Sequence, residues 1–157
     1  MKKTLLTLIL GFATLSISAQ GVKRVYDESI NPMTQIDQAL TTAAESHRYV
    51  ICQVGGNWCK WCLRFADFIT KDEEIAKVVE DNYVYIHVNL PDREGRQELL
   101  DRLGHCARFG FPVLVVLDTK GNVLHIQDSN YLEAGEGYDK KQTLRFFNKW
   151  TPTAVEQ

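Results

Sequence analysis

Counting from Met33, apolar residues recur at Ile36, Ala39, Leu40, Ala43 and Ala44. This i, i+3, i+4, i+7, i+8 spacing marks one face of a helix and predicts one over residues 33–47. The period then changes. Tyr49-Val50-Ile51-Cys52-Gln53-Val54 is a compact, mostly apolar run closed by Gly55-Gly56, and it reads as a buried strand. Residues 59–69 return to a helical pattern, and Lys71-Asp72-Glu73-Glu74 opens a further helix carrying Ile75, Val78 and Val79. Residues 83–90 are β-branched and aromatic and stop at Pro91, a second strand. Residues 94–103 predict a charged helix with Gly104 at its C′ position. Residues 113–117 are wholly apolar, a third core strand. Turn residues Asp118 to Asn122 follow, and residues 123–127 return antiparallel. A Gly-rich loop at residues 133–138 leads to a last helix over 139–150, which Pro152 ends. Ahead of all this, residues 22–26 are expected to form an edge strand.

Strand, helix, strand and then a hairpin require an α/β architecture. A central mixed sheet of four to five strands is covered by helices on both faces, in three layers. No repeat, linker or low-complexity tract divides the chain.

The N-terminus follows a different pattern. Lys2 and Lys3 precede an uncharged apolar stretch over residues 4–17, and small residues Ser16, Ser18 and Ala19 follow. That order is a secretory signal peptide, short for a bilayer crossing, with cleavage expected after Ala19. An uncleaved anchor is the competing reading. The expected organisation is residues 1–19 as signal and 20–157 as one domain, exported to the periplasm, with secretion as the second choice. Cleavage moves the net charge from −2 to −4. Neither value offers the basic excess of a nucleic-acid binder. An exported chain also carries its four cysteines where thiols can be oxidised, and four are too few for a disulfide framework at this length.

Two of the cysteines stand apart. Trp58-Cys59-Lys60-Trp61-Cys62 follows the strand and its Gly-Gly turn and opens a helix. A thiol at a helix N-terminus meets unpaired N–H groups and the positive end of the macrodipole. There a cysteine pKa falls from about 8.5 to about 3.5–7.5. Lys60 adds charge beside it. Cys59 is therefore expected as an accessible, thiolate nucleophile and Cys62, one turn inside, as the shielded sulfur that resolves the mixed disulfide. Haem attachment needs a His where Leu63 stands. Zinc needs a second ligand pair, which adjacent His105-Cys106 supplies poorly.

Together with Gly110-Phe111-Pro112 ahead of the strand and hairpin over 113–127, these residues resemble the thioredoxin superfamily. The chain is similar in particular to exported bacterial thioredoxin-like, thiol:disulfide-interchange proteins, over residues 33–150. The resemblance implies a thioredoxin-like fold with Pro112 as a cis proline facing the CxxC pair. It also implies clients that are cysteine-containing proteins, no organic cofactor or metal, and a partner, membrane-bound or soluble, that recycles the pair. A monomer is expected.

The sequence departs from that pattern at Gln53, six residues before Cys59, where thioredoxins carry a buried acid. Gln cannot titrate, so water or another group, such as an Asp or Glu from elsewhere, has to take the Cys62 proton. Phe111 and Trp58 each read either as client contacts or as packing, and Lys60 and Trp61 as auxiliary residues that tune the pair. Cys106 is read either as a third redox cysteine within reach of the active face or as a small buried thiol. Cys52, inside a core strand, is structural, and His47, His87 and His125 receive no chemistry. Two competing functions stay open beside the oxidoreductase: a non-catalytic, chaperone-like client-binding module, and a dedicated reductase in cytochrome or metalloprotein maturation.

Overall fold

The computed structural model describes residues 23–157; the predicted signal peptide lies outside the described residues. The chain runs α1 (Pro32–Ser46), β1 (Tyr49–Gly55), α2 (Lys60–Lys71), α3 (Glu73–Asn82), β2 (Tyr83–Asn89) and α4 (Arg96–Arg102). It continues through β3 (Val113–Leu117), β4 (Val123–Asp128), β5 (Glu133–Ala134), β6 (Gly137–Tyr138), α5 (Lys140–Lys149) and α6 (Pro152–Val155). Short 3-10 turns at Cys106–Phe109 and Ser129–Leu132 flank the β3–β4 hairpin.

Local chemistry sets the boundaries. The Asn31 side chain accepts the Met33 and Thr34 N–H groups to start α1. His47, in the left-handed conformation at φ 53°, ends it. Asp72 caps α3 in the same way as Asn31 caps α1.

The main sheet has four strands in the order β2-β1-β3-β4, with β1 parallel to β2 and antiparallel to β3. Alternation along the central strands sorts the core into two layers. Val50, Cys52 and Val54 of β1, with Val113, Val115 and Leu117 of β3, meet Ile36, Ala39 and Ala43 of α1 and Leu99 of α4. Tyr49 and Ile51, with Leu114 and Val116, meet Phe65 and Ile69 of α2, Ile75 of α3, and Phe146 and Phe147 of α5. Gln53 shares the β1 face of Tyr49 and Ile51, on the side of α2. No helix among the described residues is long and apolar enough to cross a membrane.

Three expectations need correction. The described part of the lead-in joins no sheet: the Val25 and Tyr26 N–H groups both donate to Asn57 Oδ1 at 3.1 Å, and Asn57 Nδ2 donates to Tyr26 O at 2.7 Å. One side-chain amide thus does what a neighbouring strand would have done. The Gly-rich loop contains the two-stranded β5–β6 hairpin. Pro152 does not merely stop α5; it occupies the first turn of α6, where a missing N–H costs nothing, behind the Thr151 cap.

Candidate active site

β1 ends at Gly55 in the middle of the sheet, and four residues later Cys59 caps α2. Its backbone is extended (φ −96°, ψ 103°), and its Sγ accepts the Cys62 N–H at 3.1 Å. A sulfur placed there faces helix N–H groups and the positive end of the dipole. Cys62 is fully buried one turn on and forms a disulfide with Cys59, Cα to Cα 5.2 Å.

Cys59 is less open than expected, only 8% exposed. The reason is aromatic. Trp58, 62% exposed, meets Phe111 edge to face at 5.5 Å, and Phe111 packs in turn against the cluster of Tyr26, Cys59, Cys62 and Leu63. Phe111 therefore packs both on the exposed Trp58 and on the cluster that holds the sulfurs. The Phe111–Pro112 bond is cis and Pro112 is buried, and Phe111 brings the loop before β3 against the cluster that holds the two sulfurs. Lys60 is exposed. Trp61 is half-buried, packs edge-on against Tyr138 at 5.5 Å and carries the Arg64 guanidinium 4.7 Å above its ring.

The structure does not bring Cys106 to this surface. It is fully buried in the layer beneath α1 and α4, together with Cys52. Burial pushes its thiol up to about 11 and raises that of Cys52 further. The left-handed His105 turns the chain inward just before it. A protonated thiol out of water is a poor nucleophile.

The position of the missing acid is occupied by a hydrogen-bonded network. Gln53, fully buried, donates through Nε2 to the Tyr26 hydroxyl at 2.6 Å and to Cys62 O at 3.0 Å, while its Oε1 accepts the Tyr85 hydroxyl at 2.7 Å. No carboxylate among the described residues hydrogen-bonds to this network. Burial raises both phenols well above their ordinary range, so both stay neutral donors.

Gly55 makes the arrangement sterically feasible. A β-carbon built there would stand 2.5 Å from Cys62 Sγ and 3.0 Å from the Tyr26 hydroxyl. Gly55→Ala is expected to cost about 1–3 kcal/mol through overpacking. The loss should be larger in the oxidised protein, where the tethered sulfur cannot rotate away. Thermal unfolding with and without reductant checks this, and an unshifted midpoint would contradict it.

His87, opposite Gln53 in the β1–β2 register, packs its ring on Tyr26 at 5.4 Å and Tyr85 at 5.5 Å. Its buried Nε2 has no partner among the described residues, and burial lowers its pKa from 6.5 to about 4. The unfolded chain therefore binds more protons between those two values. The His87 contribution is complete above the unfolded pKa and is lost as pH falls toward the folded one. His87→Phe should remove about 2 kcal/mol of the stability difference between pH 7.5 and pH 5, read from urea midpoints.

A family model, Thioredox_DsbH (protein of unknown function, DUF255), matches residues 17–149. The chain belongs to this family. It is 26% identical over 93 residues to the disulfide bond reductase DsbH of Chlamydia pneumoniae, covering 55% of this chain and 56% of that one. The chain thus spans little more than half the length of that curated relative. The disulphide isomerase of Xylella fastidiosa Temecula1 superposes with a TM-score of 0.69 at 22% identity, over 81% of this chain and 96% of its own. A thioredoxin from Thermus thermophilus gives 0.55 at 19% identity, over 77% and 88%. Both likenesses establish the thioredoxin-like fold.

Sequence reasoning missed Tyr26, Asn57, Tyr85 and His87 as members of the site. The one available signal was Asn57, a polar residue held in a four-residue Gly-Gly-Asn-Trp link. Nothing in the spacing connects Tyr26, thirty-six positions earlier, to Cys62.

Proposed function

We propose that the chain is an exported thiol–disulfide oxidoreductase that exchanges disulfides with cysteine-containing protein clients through Cys59 and Cys62. The observation that carries this reading is the Cys59 sulfur seated on the N-terminus of α2 and joined to a sulfur wholly out of water. The activated sulfur is the outer one, and the inner one is held back for the second step. The Chlamydia pneumoniae relative, a disulfide bond reductase, supports the same chemistry.

In the reducing direction the Cys59 thiolate attacks a client disulfide, forming a mixed disulfide and releasing one client thiolate. Cys62 then attacks Cys59 Sγ and releases the second. Trp58, Phe111 and Pro112 form the surface a client strand meets, and Lys60 and Trp61 flank the sulfurs. The two electrons reside in the sulfur pair, so the chemistry requires no organic cofactor or metal. Each turnover leaves the pair in the opposite state, and a second redox partner has to reset it.

The test is insulin reduction by dithiothreitol. Catalytic amounts of the mature protein should hasten precipitation of the insulin B chain. No acceleration would reject the enzyme in favour of a client-binding module. Export has its own readout: protein recovered from a bacterial periplasmic extract should begin at Gln20 by mass spectrometry, and an intact Met1 there would refute cleavage.

A further inference from the structure

The second step of exchange needs a thiolate at the inner sulfur, which is enclosed while the disulfide is closed. Cys62 is fully buried, and the position where a titrating acid would assist it holds Gln53. The Gln53 donors are fully used: both Nε2 hydrogens go to Tyr26 Oη and Cys62 O, while Oε1 accepts from Tyr85. It has no N–H left for a sulfur anion.

Tyr26 differs. Its oxygen accepts from Gln53, and its own O–H has no acceptor among the described residues. The same hydroxyl and Cys62 Sγ both crowd the spot where Gly55 lacks a side chain, so they lie no further apart than the two distances to that spot together. Tyr26 is 4% exposed and is held in place by the three hydrogen bonds between Asn57 and the backbone of residues 25 and 26. The titratable groups around it are Cys59 and Cys62 at the start of α2, Tyr85 and His87 from β2, Tyr138 from β6, and on its own segment Asp27 and Glu28, whose Glu28 carboxylate accepts from Asn57 Nδ2 at 3.0 Å.

We propose that Tyr26 donates a hydrogen bond to the Cys62 sulfur in the reduced and mixed-disulfide states, with Gln53 as the positioning residue that aims its O–H. This rests on the thiol–disulfide reading above. In the mixed disulfide, Cys62 Sγ gives its proton to water, and Tyr26 stabilises the resulting anion. The sulfur electron pair forms the Cys59–Cys62 bond as the bond from Cys59 to the client sulfur breaks. The client leaves as a thiolate, reduced by the two electrons the pair has lost. Tyr26 keeps its proton throughout, because burial holds the phenol far above neutral pH; it is a donor and not a base.

Tyr26→Phe keeps the ring and removes only the hydroxyl. In a Cys59→Ala background, thiolate absorbance against pH should show the Cys62 pKa raised by about one to two units, the loss of one charge-assisted hydrogen bond. With both cysteines present and oxidised glutathione as the client, release from the Cys59–glutathione mixed disulfide at neutral pH should slow roughly three- to tenfold. The smaller thiolate fraction is partly offset by greater nucleophilicity. The rate of iodoacetamide alkylation at Cys59 should stay within about twofold, which a general structural loss would not allow.

An unchanged Cys62 pKa in folded Tyr26→Phe overturns the proposal, as does an equal slowing at both sulfurs. If the variant does not fold, 3-fluorotyrosine is incorporated into the otherwise wild-type chain. The stronger donor should lower the Cys62 pKa, and no change overturns the proposal. Failure of wild-type Cys59 to form any glutathione adduct would instead refute the oxidoreductase reading, and the Cys62 pKa, measured without a client, would still decide the role of Tyr26.

Discussion

Cys62→Ala should accumulate client proteins bound covalently through Cys59, released by dithiothreitol, while Cys59→Ala should trap none. The asymmetry follows from where the two sulfurs sit. Cys59 caps α2 and keeps an edge in solvent; Cys62 has none. A client disulfide can therefore reach only the first sulfur. Once the mixed disulfide has formed, only an intramolecular thiol at Cys62 distance, Cα to Cα 5.2 Å from Cys59, resolves it quickly. Both variants should bring insulin reduction down to the rate of dithiothreitol alone, the largest functional loss expected of any substitution in this chain. Non-reducing electrophoresis of the two variants after exposure to periplasmic extract separates the roles. Equal adducts in both would reverse or abolish the assignment.

The largest stability loss near the site is expected from Gln53→Leu, a change of similar volume in a fully buried position. It removes the donor to Tyr26 Oη and the acceptor for the Tyr85 hydroxyl and leaves both phenols buried. Each stranded polar group costs about 1–3 kcal/mol. The Cys62 carbonyl loses its second partner but, lying in the first turn of α2, keeps its place in the helical ladder. The total is about 2–5 kcal/mol, a lowering of the thermal midpoint by about 10 °C for a domain of this size. A drop of the urea midpoint by about 1–2 M checks it independently. If Gln53→Leu melts with the wild type, the network contributes no net stability, and its Gln serves orientation alone.

Much of the fold was legible because periodicity and burial agree. The alternation along β1 and β3 puts Val50, Cys52 and Val54 on one layer and Tyr49, Ile51 and Gln53 on the other. The Asp72 side chain acts locally, within three residues of the helix it starts, so a linear reading finds that start. The lead-in was misread for a related reason. Val25 and Tyr26 have strand-forming side chains, but their N–H groups bond to Asn57, more than thirty positions away. The Cys106 alternative was settled by three-dimensional placement: the 3-10 turn at Cys106–Phe109 points that thiol into the core.

The sequence by itself determined the chemistry available to this protein. Cys59 and Cys62 are one helical turn apart behind a strand and a Gly-Gly turn, and that spacing alone sets which sulfur is capped and which is enclosed. Tertiary structure alone decided what surrounds the inner sulfur: Tyr26 from an unstructured lead, Gln53 and Tyr85 from two adjacent strands, and a missing β-carbon at Gly55. Periodicity reports which face a side chain takes. It carries no information about which hydroxyl, brought from another part of the chain, fills the hydrogen-bonding capacity of a buried amide.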